Sequence, residues 1–214
     1  WEKGNMSVGP DCGGCRSFMI PDFDRYNTIS KLFWYYVNEH GDDITLWRKQ
    51  RGAWESLTWR EYGEWSRDMG NALLACGMNR GDKVSILSQT RLEWVVCDMA
   101  IMGIGCVTAP IYNSNTEEQV YYIAEHSDSR LAFVEDQEQL DKMLAIWEKL
   151  PQIERIVVFD KYVPKDLPNV TSLRDFMEMG AHYREEHLNT FEDRIEAGDP
   201  EDIISFIYTS GTTG

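Results

Sequence analysis

From Lys83 onward the chain alternates between short apolar runs and longer segments with helical periodicity, and this alternation constrains its fold most strongly. The predicted strands are Val84–Leu87, Val107–Tyr112, Leu131–Val134, Ile156–Phe159 and Ile203–Tyr208, and the predicted helices are Leu92–Met102, Thr116–Ser127, Gln137–Leu150 and Leu173–His187. Strands and helices that alternate at these lengths are typical of βαβ units. We therefore predict an α/β fold with a mostly parallel β-sheet and helices on both faces.

The chain before Lys83 divides into an arm and an ordered segment. Residues 1–26 are rich in Gly, Pro and Asp and lack periodicity, so they predict a flexible N-terminal arm. The next residues predict a helix and then a β-hairpin that turns at residues 51–53. Thr58 and Glu61 have the spacing of a capping box, which predicts the start of a second helix. We assign residues 27–214 to one folded unit.

The sequence ends in a loop that is suited to bind phosphate. After the apolar run Ile203–Tyr208 come Thr209, Ser210, Gly211, Thr212, Thr213 and Gly214. Glycine allows close approach of the backbone to a ligand, and successive backbone N–H groups in such a loop form an anion-binding concavity. The hydroxyl groups add further donors. The loop is not a Walker A motif, because its glycines are too close together and no Lys follows. The alternative is a polar turn after a strand.

Charge and composition exclude several classes of partner. The chain of 214 residues has a net charge of −15, which argues against binding to nucleic acid and against adhesion to anionic membranes. Its 43% hydrophobic content is that of a globular chain. The most apolar stretch, Trp94–Pro110, is interrupted by Asp98 and is too short for a transmembrane helix.

The cysteines and histidines provide no competing catalytic motif. An odd number of cysteines, five, without a signal peptide indicates free thiols in a reducing compartment such as the cytoplasm. Cys12 and Cys15 form one CxxC pair without further ligands nearby, so incidental thiols are favoured over a redox or metal site. No His stands at a spacing from Ser or Cys that indicates a hydrolase.

Several separated blocks of sequence together resemble a known family. They are Gly81–Val84, Arg91–Trp94, Gly105–Tyr112, Thr116–Gln119 and the run from Asp202 through Tyr208 into the final loop. In this order they resemble the N-terminal domain of AMP-forming (adenylate-forming) acyl-CoA synthetases, over about Thr28 to Gly214. The blocks Glu93–Trp94 and Pro110–Tyr112 are most similar to the long-chain fatty acid–CoA ligases.

The resemblance implies a reaction in two steps. A carboxylate attacks the α-phosphate of ATP to give an acyl-adenylate and pyrophosphate, and the thiol of coenzyme A then displaces AMP. In this family the Ser/Thr/Gly-rich loop, here Thr209 to Gly214, holds the β- and γ-phosphates of ATP. Mg²⁺ bridges the phosphates, and either Thr212 or Thr213 contacts the metal. The implied small-molecule substrates are a fatty acid, ATP and coenzyme A.

The same resemblance indicates that the chain is a piece of a longer protein. It begins with Trp1 instead of Met, and the Pro-Lys pair that continues the family motif after Gly214 is absent. The adenine-binding segment, the magnesium-binding acid and the C-terminal catalytic Lys of the family are absent as well. We therefore expect no catalytic residue within these 214 residues and no activity from the chain alone. The resemblance also allows peripheral membrane association of the complete protein.

Two groups of alternatives remain open. One is another adenylate-forming enzyme, either a short- or medium-chain ligase, an aryl-CoA ligase or an adenylation domain that loads a carrier protein. The other is a naturally truncated, non-catalytic binding module.

Overall fold

The computed structural model describes residues 21–50, 52–160 and 167–209. In chain order the elements are α1 (Ile29–Glu39), β1 (Ile44–Gln50), β2 (Ala53–Thr58), α2 (Trp59–Ala75), β3 (Lys83–Leu87), α3 (Leu92–Gly103), β4 (Val107–Ile111), α4 (Glu117–His126), β5 (Ser129–Val134), α5 (Gln137–Ile146) with a 3₁₀ turn (Trp147–Lys149), β6 (Arg155–Val158), β7 (Val170–Ser172), α6 (Leu173–Glu186) and α7 (Thr190–Glu196). The predicted strands and helices from Val84 to Phe159 are present with small shifts at their ends.

The main sheet has five parallel strands in the order β4-β3-β5-β6-β7. The chain runs from β3 to β4 on one side and then crosses back to β5 on the other side of β3. The strand order therefore reverses between β3 and β5, which is the position where sheets of this kind bind ligands beyond their carboxyl ends. The predicted hairpin is also present, as the separate antiparallel pair of β1 and β2.

Helices cover both faces of the sheet, which confirms the predicted α/β class. One hydrophobic cluster joins side chains of β3, β5 and β6 to α1, α2, α3, α6 and α7. The other cluster joins the opposite face of the same strands to α4 and α5. Along β5 the side chains alternate between these clusters: Phe133 belongs to the first, and Ala132 and Val134 belong to the second. This period of two is what a strand buried on both faces requires.

Local sequence signals start several helices. Both predicted capping boxes are confirmed: Thr58 with Glu61 at α2, and Thr116 with Gln119 at α4. In each, the Thr hydroxyl accepts a hydrogen bond from the backbone N–H three residues on, and the Glu or Gln side chain accepts one from the backbone N–H of the Thr.

The prediction of a regular strand over Ile203–Tyr208 is wrong. The segment runs parallel to β4 at the edge of the sheet, but it forms only one isolated bridge, between Ser205 and Thr108. Ile203 and Ile207 are 61% and 78% exposed, so this apolar run lacks the two-sided burial that its composition indicated. β7 and α7, which are short elements of three and seven residues, are not among the predicted elements.

Candidate functional site

A cavity of about 570 Å³ opens at the carboxyl edge of the sheet, beside the end of the described chain. It lies between the loop after β3, the loop after β4 and the final segment, and its lining residues are Ser88, Gln89, Thr90, Trp94, Pro110, Ile111, Tyr112, Asn113, Ile207 and Tyr208. Polar groups from two loops thus face an apolar wall in one cleft. This combination is typical of small-molecule sites.

Thr108 of β4 fixes the position of the final segment. Its backbone N–H donates to the Ile204 carbonyl at 2.9 Å, and its carbonyl accepts from the Phe206 N–H at 2.9 Å. The fully buried Thr108 hydroxyl donates to Oδ1 of Asp98 at 2.7 Å. One residue therefore connects α3, β4 and the segment that leads into the loop.

Asp98 is a half-buried carboxyl group whose protonation is coupled to folding. Burial raises its pKa above the ordinary 3.8, and the hydrogen bond from Thr108 opposes this rise. The folded protein therefore holds a proton on Asp98 more tightly than the unfolded chain does. Protonated Asp98 therefore adds to the free energy of unfolding. This stabilisation is fully present below the ordinary pKa and is lost as the pH rises through the raised pKa.

Replacement of Asp98 by Asn is expected to stabilise the protein at neutral pH. The amide oxygen can still accept the Thr108 hydrogen bond, but the side chain has no ionised form to desolvate. The measurement is the urea midpoint of wild type and Asp98→Asn at several pH values between about 4 and about 7. The advantage of the variant should grow as the pH rises. An advantage that is constant across this range would contradict the account.

A network of ion pairs joins the loops at the point where the strand order reverses. Glu135, directly after β5, accepts a hydrogen bond from the backbone N–H of Gln89 at 2.8 Å. Arg91 lies within 2.6 Å of Glu93, 3.6 Å of Glu135 and 3.5 Å of Asp160. Burial lowers the pKa of Arg91, but the hydrogen bond to Glu93 and the nearby carboxylates outweigh it and raise the pKa. The network fixes the β3 loop that lines the cavity.

Loss of the Arg91 cation should destabilise this edge of the sheet. Glu93 and Glu135, 20% and 14% exposed, would remain as close carboxylates without their main counter-charge. We expect Arg91→Met to lower the free energy of unfolding by about 2 kcal/mol, less than for a fully buried pair because Arg91 is partly exposed. Urea denaturation at pH 7 measures the loss. The control is Arg174→Met, an 84% exposed partner of Glu178, which should change stability by less than about 0.5 kcal/mol. Equal effects would refute the prediction.

Tyr208, the last residue before the loop, packs against α4. Its hydroxyl lies 3.0 Å from Nδ1 of His126, and its ring meets the rings of His126 and Tyr122 edge-on. Burial, and secondarily the charge of Tyr122, raises the pKa of Tyr208, so its hydroxyl stays protonated at neutral pH.

The structure describes one of the six predicted loop residues. Thr209 is exposed at the end of the described chain, next to the cavity-lining Tyr208. Ser210, Gly211, Thr212, Thr213 and Gly214 lie outside the described residues, as do Cys12 and Cys15 and most of the predicted arm. Their roles stay predictions.

The described residues contain no group of three or more His, Cys, Asp or Glu side chains that could hold a metal ion. Thr212 and Thr213, the residues predicted to contact magnesium, lie outside the described residues. Cys97 and Cys106 are buried in the core, and burial raises the pKa of the Cys106 thiol to about 12. Within the described ranges, no helix combines the length and apolarity needed to cross a bilayer.

Asp98, Thr108 and Glu135 hold the segments that line the cavity, and they are not among the residues predicted for the site. Asp98 did carry a signal, because it is a carboxyl group within the most apolar stretch of the chain. Such a residue needs a buried partner, and the partner is Thr108. Glu135 gave no comparable signal, since a Glu after a strand is usually solvated.

Solved structures with a similar fold include a CoA ligase and an acid ligase. An anthranilate CoA ligase, AuaEII, in complex with anthranoyl-AMP matches with a TM-score of 0.70 and 23% identity over 89% of this chain and 33% of that one. Coronafacic acid ligase from Pectobacterium brasiliense matches with a TM-score of 0.61 and 15% identity over 84% of this chain and 31% of that one. At these identities the likeness concerns the fold.

Curated relatives are similar in sequence over most of this chain. The long-chain-fatty-acid–CoA ligase ACSBG2 of Xenopus laevis is 30% identical over 87% of this chain and 25% of its own length. ACSBG1 of Homo sapiens is 29% identical over the same shares. FadD15 of Mycobacterium bovis is 27% identical over 89% of this chain and 30% of its own length. This chain thus spans only about a quarter to a third of these relatives.

The family model for AMP-binding enzymes matches residues 33–214, which includes the elements around the cavity and the whole predicted phosphate loop. The chain therefore belongs to the AMP-binding enzyme family.

Proposed function

We propose that the complete protein joins a carboxylic acid to coenzyme A at the expense of ATP, with AMP and pyrophosphate as products. The observation that carries this proposal is the path of the final segment. Thr108 holds it against β4, and Ile207 and Tyr208, the residues before Thr209, line the cavity at the carboxyl edge of the sheet. The family match supports the proposal because it extends through the loop to Gly214.

In this proposal the loop from Thr209 to Gly214 binds the phosphate chain of ATP. Its backbone N–H groups and hydroxyls donate hydrogen bonds to phosphate oxygens, and either Thr212 or Thr213 adds a contact to Mg²⁺. Bound Mg²⁺ would neutralise charge on the phosphates. The cavity walls beside the loop, with Trp94 and Tyr112 among them, provide apolar surface for a bound molecule. Residues 27–214 form the N-terminal part of this adenylate-forming domain, preceded by the arm 1–26.

Long-chain fatty acids are the proposed acid substrates. This proposal is supported by the names of the curated relatives, which are long-chain-fatty-acid–CoA ligases. An aryl acid is the second candidate substrate, because one of the structural matches is an anthranilate CoA ligase. The proposed location is the cytoplasm, with peripheral contact to membranes that supply the acid.

Acid-dependent exchange of pyrophosphate into ATP by the full-length protein tests the substrate proposal. Palmitate, octanoate, acetate and anthranilate are supplied in turn. Palmitate should support the fastest exchange, and the isolated chain of 214 residues should show none. Fastest exchange with anthranilate would favour an aryl-CoA ligase. No exchange with any acid, together with normal folding, would favour a non-catalytic binding module.

Addition of the acceptor separates a CoA ligase from a carrier-loading enzyme. With palmitate and ATP present, coenzyme A should give palmitoyl-CoA in solution. A protein that forms the adenylate but leaves coenzyme A unacylated would instead fit an adenylation domain that loads a carrier protein.

A further inference from the structure

We propose that Tyr208, His126 and Tyr122 form a clamp that fixes the point at which the chain enters the phosphate loop. In this role they are positioning residues for ATP binding: they act through the loop and do not touch the nucleotide. The inference rests on the proposed function, since the loop matters only if it binds phosphate.

The clamp consists of three aromatic side chains from two distant parts of the sequence. The Tyr208 hydroxyl and His126 Nδ1 are 3.0 Å apart. The Tyr208 ring lies 5.7 Å from the His126 ring at 87° and 6.5 Å from the Tyr122 ring at 84°. Both contacts are edge-on, which is a favoured arrangement of aromatic pairs.

The Tyr208 side chain packs against two stacked rings on α4, those of Tyr122 and His126. Tyr122 and His126 are four residues apart in the helix, so they share one face. Their rings stack at 5.6 Å with an angle of 23° between the planes. The stacking contact holds these two rings in place, and the Tyr208 ring packs against both of them.

The clamp lies directly before the predicted phosphate loop, so it fixes the backbone where the loop begins. Backbone hydrogen bonds hold the final segment to β4 at Ile204 and Phe206. Two residues after Phe206, the Tyr208 side chain fastens the same segment to α4. The next residue is Thr209, where the predicted phosphate loop begins. The direction in which the backbone enters the loop is thus set by contacts to a strand and to a helix.

The hydrogen bond can form in either charge state of His126. A neutral ring with a bare Nδ1 accepts from the Tyr208 hydroxyl, and a protonated ring donates to the hydroxyl oxygen. Because the pKa of Tyr208 is raised, its hydroxyl keeps its proton in both cases.

The test uses the full-length protein with two substitutions that break the clamp. Tyr208→Phe removes the hydroxyl and keeps the ring, and His126→Leu removes the whole imidazole ring together with Nδ1. Tyr121→Phe is the matched control, because Tyr121 lies on the same helix and its ring faces Lys149. His126→Asn is the conservative variant, because its amide can stand near the position of Nδ1 and restore a hydrogen bond.

Both clamp variants should raise the KM for ATP about three- to tenfold, as expected for loss of one hydrogen bond. The KM for coenzyme A should stay within about twofold, and Tyr121→Phe should match wild type. His126→Asn should recover part of the ATP affinity that His126→Leu loses. In the absence of nucleotide, amide hydrogen exchange over residues 207–214 should be faster in the clamp variants than in wild type and the control.

The outcomes separate the clamp from the proposed function. If wild type binds no ATP, the proposed function fails and the role of the clamp toward ATP fails with it. If wild type binds ATP but Tyr208→Phe has an unchanged KM and unchanged exchange, the clamp alone is overturned. Equal increases in the KM for ATP and for coenzyme A would also overturn it, because they would indicate general damage to the fold.

Discussion

Replacement of Phe191 by Ala is expected to lower the free energy of unfolding by about 3 to 5 kcal/mol, the range found for removal of a large buried aromatic side chain. Phe191 is fully buried, and its ring meets the Trp34 ring edge-on at 5.6 Å. It fills the space above Gly70 of α2 and Gly103 of α3, where an added Cβ would collide with its ring. These two glycines create a hollow that the Phe191 ring occupies, so truncation leaves a cavity between α2, α3 and α7.

Urea denaturation monitored by tryptophan fluorescence measures this loss. Leu188→Ala is the control, because Leu188 lies three residues earlier and is 74% exposed. The control should change stability by less than about 0.5 kcal/mol. If Phe191→Ala were as mild as the control, α7 would not be anchored to the rest of the fold as the structure shows.

Replacement of a single threonine in the phosphate loop should weaken ATP binding more than either clamp substitution does. Thr212→Val and Thr213→Val each remove one hydroxyl at constant shape. A hydrogen bond to a charged group contributes about 1.5 to 3 kcal/mol, so loss of one to a phosphate oxygen should raise the KM for ATP roughly ten- to hundredfold. The measurement is acid-dependent pyrophosphate exchange at varied ATP and Mg²⁺.

The two variants also decide which threonine lies near the metal. The one that needs more Mg²⁺ for half-maximal exchange identifies the metal-contacting residue. Ser114→Ala, in the loop after β4, serves as the control for a hydroxyl outside the phosphate loop. An unchanged KM for ATP in both threonine variants would contradict the assignment of the loop as the phosphate site.

The sheet and its flanking helices could be predicted because their signals are local and repeated. The alternation of strands with helices recurs from Lys83 onward, and the capping boxes at Thr58 and Thr116 specify helix starts through contacts within one turn. The strand β7, at three residues, is too short to show a period. The helix α7 contains only Phe191 and Ile195 as buried residues, and its place is set by a hollow on other helices.

The final segment shows where reasoning from apolar content fails. Ile203–Tyr208 has the composition of a buried strand, yet burial depends on neighbours that sequence composition does not specify. The contacts around the cavity also depend on neighbours that are distant in the sequence. The pairs Asp98–Thr108, Gln89–Glu135 and His126–Tyr208 join residues from different elements, so no local pattern predicts them.

The central claim is that a carboxylate attacks the α-phosphate of ATP, and isotope transfer tests it most directly. Full-length protein is supplied with ATP, coenzyme A and palmitate labelled with ¹⁸O in its carboxylate, and the nucleotide product is analysed by mass spectrometry. In the proposed reaction a carboxylate oxygen bonds to the α-phosphorus as pyrophosphate leaves, and the thiol then attacks the carbonyl carbon and releases AMP. AMP should therefore carry one ¹⁸O atom for each palmitoyl-CoA formed. Formation of ADP, or of AMP without the label, would contradict the account.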